Sequence, residues 1–97
     1  MDDILGRVVY SKSGRDKGKL FIIIEVVNDN YVMLVDGDMR PIDNPKLKNI
    51  RHIQFTNLRA DKVIDYLNRG EMLDNHIIRK NLKQLLEARE TDGKEVW

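Results

Sequence analysis

The pattern of apolar and polar positions changes period once along the chain, near residue 57. Before that point the apolar residues come in short runs. Arg7–Ser11 follows Gly6, Lys19–Val27 holds three consecutive isoleucines, and Tyr31–Val35 and Asn49–Phe55 complete the set. Runs of this length between turn residues predict β-strands. Asn28-Asp29-Asn30 predicts a tight hairpin turn and Asp36-Gly37-Asp38 a second turn, while Pro41 and Pro45 mark an irregular connection. Several short strands punctuated in this way predict a small barrel. After residue 57 the spacing becomes helical. Ala60, Val63, Ile64 and Leu67 form one apolar stripe, and Ile77, Ile78, Leu82, Leu85 and Leu86 form another. Gly70 stands where a helix ends, and Asp74 is a candidate cap for the second helix. The polar residues after about Arg89 predict a loose tail in which Trp97 is free or weakly docked.

The strands are apolar on both faces. In Lys19–Val27 one alternating set is Leu20, Ile22, Ile24 and Val26; the other is Phe21, Ile23 and Val27, interrupted by Glu25. A small barrel requires only its inner face to be apolar, so something must cover the outside. The two helical stripes match that need. The expected fold is therefore mainly β with C-terminal α: a small barrel over residues 1–56, and two short helices over 57–97 packed on it as part of the same domain.

Bulk properties narrow the range of functions. A chain of 97 residues fits one domain. It is 41% hydrophobic and 34% charged with a net charge of +1, which excludes a uniformly basic coat but allows a one-sided cationic patch. With no cysteine, disulfides, thiolate metal sites and thiol catalysis are excluded. No run approaches the roughly 20 apolar residues of a membrane span. Met1-Asp2-Asp3 is acidic where a signal peptide is basic, so a cytoplasmic location is expected. Catalytic patterns are weak. His52 and His76 are not in metal-ligand spacing, Asp36 and Asp38 flank a turn glycine, and the Ser13–Lys19 segment lacks Walker spacing. We expect no enzyme activity, cofactor, metal or small-molecule substrate.

The segment with chemistry is Lys12-Ser13-Gly14-Arg15-Asp16-Lys17-Gly18-Lys19, a loop between two strands with four cations and one acid. Its glycines permit backbone conformations closed to other residues. Arg15 can grip a phosphate through two hydrogen bonds, whereas Lys12, Lys17 and Lys19 act as point charges. Charge alone is equally compatible with a solvated hairpin loop.

Gly6-x-Val8-Val9, then Ser13-Gly14, then Asp16-Lys17-Gly18-Lys19 and an apolar strand, resembles the KOW motif. That motif is shared by ribosomal proteins and transcription elongation factors and covers about residues 6–32. Gly18 matches its signature glycine. Where many KOW motifs carry a second glycine, this chain has Leu20 and Phe21. Over the whole chain the likeness is to stand-alone bacterial KOW proteins, which resemble the large-subunit ribosomal protein fourteen of eukaryotic type. Leu73-Asp74 with Ile78-Arg79-Lys80 is similar to their helical end. The resemblance implies an SH3-like barrel that binds structured RNA, most plausibly ribosomal, in company with the ribosome or ribosomal proteins.

A second basic cluster comprises Arg40, Lys46, Lys48 and Arg51, beside His52. If loops at one barrel end converge, both clusters form one salt-sensitive patch; otherwise they are separate solvated loops. Tyr10 and Tyr31 are candidates for base stacking if exposed, though core or rim packing is the expectation. Arg79, Lys80 and Lys83 lie off the apolar stripe of the second helix and either extend an RNA footprint or are merely solvated. A helix-turn-helix reading would leave the strand-rich half without a role. The sequence thus predicts a non-enzymatic RNA-binding protein whose contacts are Lys12, Arg15, Lys17, Lys19, Arg40, Lys46, Lys48 and Arg51, with Gly14 and Gly18 shaping the loop. The alternative is an SH3-like protein-interaction module of the transcription or translation machinery.

Overall fold

The computed structural model describes residues 4–95, with side chains over 4–88; the expected docking of Trp97 lies outside the described residues. The strands are β1 (Arg7–Ser11), β2 (Leu20–Val26), β3 (Tyr31–Val35), β4 (Lys46–Asn49) and β5 (Ile53–Arg59), followed by helices α1 (Asp61–Arg69) and α2 (Asn75–Glu95). The strands pair antiparallel in one sheet of order β4-β3-β2-β1-β5. Among the described residues no ladder joins the edge strands β4 and β5, so the sheet is not closed by hydrogen bonds.

Local chemistry explains most boundaries. The Asn28 side-chain oxygen accepts from the N–H groups of Asn30 and Tyr31 at 2.8 and 3.0 Å, which fixes the β2–β3 turn. Asp36 does the same for Asp38 and Arg40 at 2.9 and 2.8 Å. The single strand expected over Asn49–Phe55 is divided. Asn49 accepts from Arg51 N–H at 2.9 Å and starts a 3-10 turn over Ile50–His52. That turn separates β5 from the charged strand β4, of which only Asn49 falls within an expected strand. Gly70 terminates α1, and Asp74 caps α2 by accepting from Ile77 N–H at 2.9 Å. Helix α2 is long, 21 residues, and continues through Glu95 where a loose tail is expected after Arg89.

The two apolar faces of the sheet build two cores. Val9, Phe21, Ile23, Val32, Leu34 and Ile53 form an inner cluster drawn from β1, β2, β3 and β5. On the opposite face Val8, Ile22 and Val35 pack with Ala60, Val63, Leu73, Ile78 and Leu82, so the helices cover the outside of the sheet. One residue changes sides. The β2–β3 register slips between Ile23 and Glu25, and a slip of one residue exchanges faces. Val26 consequently joins the inner cluster instead of the Ile22 face. Gly6 serves the same packing: a Cβ there would overlap the Ile64 side chain of α1. Among the described residues no helix is long and apolar enough to cross a membrane.

Candidate nucleic-acid interface

The loop 12–19 closes on its own backbone. Ser11 N–H donates to Lys19 O at 3.0 Å, Gly18 N–H to Ser11 O at 2.8 Å and Lys19 N–H to Asp16 O at 3.0 Å. Gly14 and Gly18 have φ of 81° and 85°, a region that disfavours side chains. The loop folds inward around its acid. Asp16 is buried, and its Oδ1 accepts from the Ser11 hydroxyl at 2.7 Å.

The β4 strand brings the second cluster to this point. Lys46 pairs across the ladder with Leu34, and Lys48 with Val32, so both lysines project on the inner face. Leu47, between them, is 53% exposed. This reverses the usual arrangement, and Asp16 accounts for it. Lys46 Nζ lies 3.1 Å from Asp16 Oδ2, and Lys48 Nζ lies 3.4 Å from Oδ1 and donates to Ser13 O at 3.0 Å. Burial by itself would raise the Asp16 pKa; the Ser11 hydroxyl and the two ammonium groups outweigh it and hold the carboxyl down at about 2.

Arg15 and Lys19 from the loop, Arg40 from the β3–β4 connection and Lys46 from β4 line one cleft of about 220 Å³, together with Asp16, Phe21 and Met39. Lys19 Nζ lies 2.9 Å from the Met39 sulfur. The two clusters separated in sequence therefore meet. Not every cation takes part equally. Lys48 is only 6% exposed, and its ammonium is occupied by Asp16 and Ser13. Lys12, Lys17 and Arg51 are exposed and do not line the cleft. Lys12 N–H donates to His52 O at 2.8 Å, which sets the 3-10 turn carrying Arg51 beside the start of the loop.

Asp16 has no role in the sequence-based expectation, although a lone acid among cations is a signal for one. Of the two tyrosines, Tyr31 is exposed at 38%, while Tyr10 is half-buried at a rim between two surface depressions. Among the described residues no group of three His, Asp or Glu side chains is placed to hold a metal ion.

An antiparallel sheet covered on one face by two helices, with Arg15, Lys19, Arg40 and Lys46 lining one cleft, defines a small β-rich protein with a cation-lined depression. In sequence, the chain is similar to proteins of the large ribosomal subunit. It is 38% identical over 61 residues to large ribosomal subunit protein eL14 of Tetrahymena thermophila, covering 61% of this chain and 44% of that protein. The eL14 of Pyrobaculum aerophilum is 34% identical over 59 residues, covering 59% and 55%. That of Staphylothermus marinus is 27% identical over 75 residues, covering 77% and 72%. The chain spans about half the length of the first two. The likeness suggested by the glycine-flanked loop thus extends to these ribosomal proteins. No protein-family model matches the chain.

Proposed function

We propose that this chain is a non-enzymatic RNA-binding protein of the cytoplasm, associated with the ribosome or its assembly, and that it grips ribosomal RNA through the phosphates. The observation that carries this reading is the meeting of Arg15, Lys19, Arg40 and Lys46 at one cleft. Their charges are only partly offset by Asp16, so the cleft attracts polyanions although the whole chain carries +1. Arg15 and Arg40 supply two-pronged phosphate contacts, and Lys19 and Lys46 point charges. Lys12, Lys17 and Arg51 extend the contact outward, while Lys48 holds Asp16. Gly14 and Gly18 allow the loop backbone to approach closely.

We read the sheet as an SH3-like barrel of KOW type. Its edge strands are joined through one 3-10 turn, and the inner cluster unites β1, β2, β3 and β5, which supports that reading. We treat residues 57–97 as an extension of the same domain, supported by the core shared between sheet and helices. The ribosomal relatives support the choice of RNA.

The test is binding of the full chain to purified large-subunit ribosomal RNA at several salt concentrations. We expect affinity to fall steeply with salt. An Arg15→Glu/Lys17→Glu double variant should bind more weakly and flatten the slope of log K against log salt by about one to two. Salt-insensitive binding, or a double variant indistinguishable from wild type, would sink the phosphate model.

A second reading, a protein-interaction module, is favoured by exposed Tyr31 and Leu47 on and beside the edge strand β4. Co-sedimentation with ribosomal subunits that survives the double variant unchanged would select it.

A further inference from the structure

We propose that helix α2 supplies a second, separate RNA-phosphate contact through His76, Arg79, Lys80 and Lys83; this rests on the RNA-binding reading above. The four side chains line one shallow depression. They occupy positions i, i+3, i+4 and i+7 and hence one helix face. From Asn75 to Leu86 the helix carries Arg79, Lys80 and Lys83 and no acid. A face that is only solvated usually mixes signs. Here Arg79 and Lys83 form a like-charge i, i+4 pair, and Lys80 and Lys83 a like-charge i, i+3 pair, both of which work against the isolated helix. A polyanion lying on the face relieves that repulsion.

The face is held in a fixed relation to the loop cleft. The turn after β3 carries Arg40 into the cleft, and the same turn anchors α2. Ile42 N–H donates to Asn75 Oδ1 at 2.7 Å, and Arg79 Nη1 donates to Gly37 O at 2.6 Å. Gly37 has φ of 79°, and a Cβ there would stand 2.6 Å from the Asn75 carbonyl oxygen and 2.9 Å from Arg79 Cγ. No other residue permits so close an approach of turn and helix. One open depression of about 530 Å³ is lined by Lys19 and Met39, which also line the loop cleft, and by Arg79 and Lys83 of the helix face. Asp36, Asp38 and Glu87 also line it. The Asp36 carboxylate is engaged by the N–H groups of Asp38 and Arg40. Continuity with the loop, through Lys19, is what favours RNA over an acidic protein as the occupant.

The experiment compares wild type, Lys80→Glu/Lys83→Glu, Lys80→Gln/Lys83→Gln and Arg15→Glu/Lys17→Glu for binding to purified large-subunit ribosomal RNA across salt. Lys80 and Lys83 are exposed, and the glutamine pair removes charge without adding an acid, so a folded variant is available. We expect roughly ten-fold weaker binding for the glutamate pair at low salt, a smaller loss for the glutamine pair, and a shallower salt slope for both. A loss in the loop variant with both helix variants at wild-type slope and affinity would overturn the helix contact and leave the loop model standing. Wild type without salt-dependent binding would remove both. Helix variants that bind naked RNA normally but no longer co-sediment with ribosomal subunits would assign the face to an acidic protein and overturn the proposal.

Discussion

Asp16 is the residue on which the geometry of the cleft turns. A carboxylate among four loop cations looks like a partial cancellation of charge, yet it anchors Lys46 and Lys48 of a distant strand and receives the Ser11 hydroxyl. Removing it leaves two ammonium groups without their counter-ion, one of them nearly buried. Asp16→Asn should destabilise the fold by about 2 kcal/mol. The effect has a definite pH dependence. Folding lowers this carboxyl from 3.8 to about 2, so the unfolded chain takes up the proton more readily than the folded one. The contribution is complete above about pH 4 and is lost as pH falls toward 2. Urea unfolding at pH 7 and near pH 2 should show the gap between wild type and variant narrowing at acid pH. A gap of constant size would contradict the ion cluster as its source.

At the scale of elements, helix α1 lacks a cap of its own. Its first residue follows Ala60, which has no side-chain acceptor. The missing partner comes from α2: Asn81, buried at 5% exposure, accepts from Val63 N–H at 3.3 Å. One helix thus completes the start of the other, which couples them beyond apolar contact. Asn81→Ala should cost about 1 kcal/mol and loosen the first turn of α1. Amide exchange at Val63 should accelerate more than exchange in β2; equal protection in variant and wild type would remove Asn81 as the cap. The Asn28 and Asp36 turns, the end of α1 at Gly70 and the Asp74 cap were legible in sequence, because each is a local hydrogen bond or backbone preference. Strand β4 was not. Four residues, Lys-Leu-Lys-Asn, give too short an alternation, and their polar face points inward toward an acid that is remote in sequence.

For the whole molecule, a net charge of +1 coexists with a local gathering of cations, because Arg15, Lys19, Arg40 and Lys46 line one cleft. Arg15 and Arg40 lie in different loops yet line the same cleft, and the proposed phosphate grip has one phosphate engage both. A double-mutant cycle of Arg15→Glu and Arg40→Glu on RNA affinity should therefore show a coupling of at least about 0.5 kcal/mol. Strict additivity would mean that the two arginines contact separate phosphates. The expectation that helices cover the sheet came from two-sided strands, and the mixed cluster of Val8, Ile22, Val35, Val63 and Ile78 realises it.

By itself the sequence determined which segments are strands and helices over most of the chain, the need to cover both sheet faces, and the glycine-shaped cationic loop. These follow from local periodicity and local backbone chemistry. Tertiary structure alone decided which cations share a cleft, that Lys48 is occupied with Asp16, that Val26 changes face at a bulge, and that Gly37 fixes α2 to the β3–β4 turn. Each of those depends on the distance between groups far apart in the chain, and only the folded sheet and its packing set that distance.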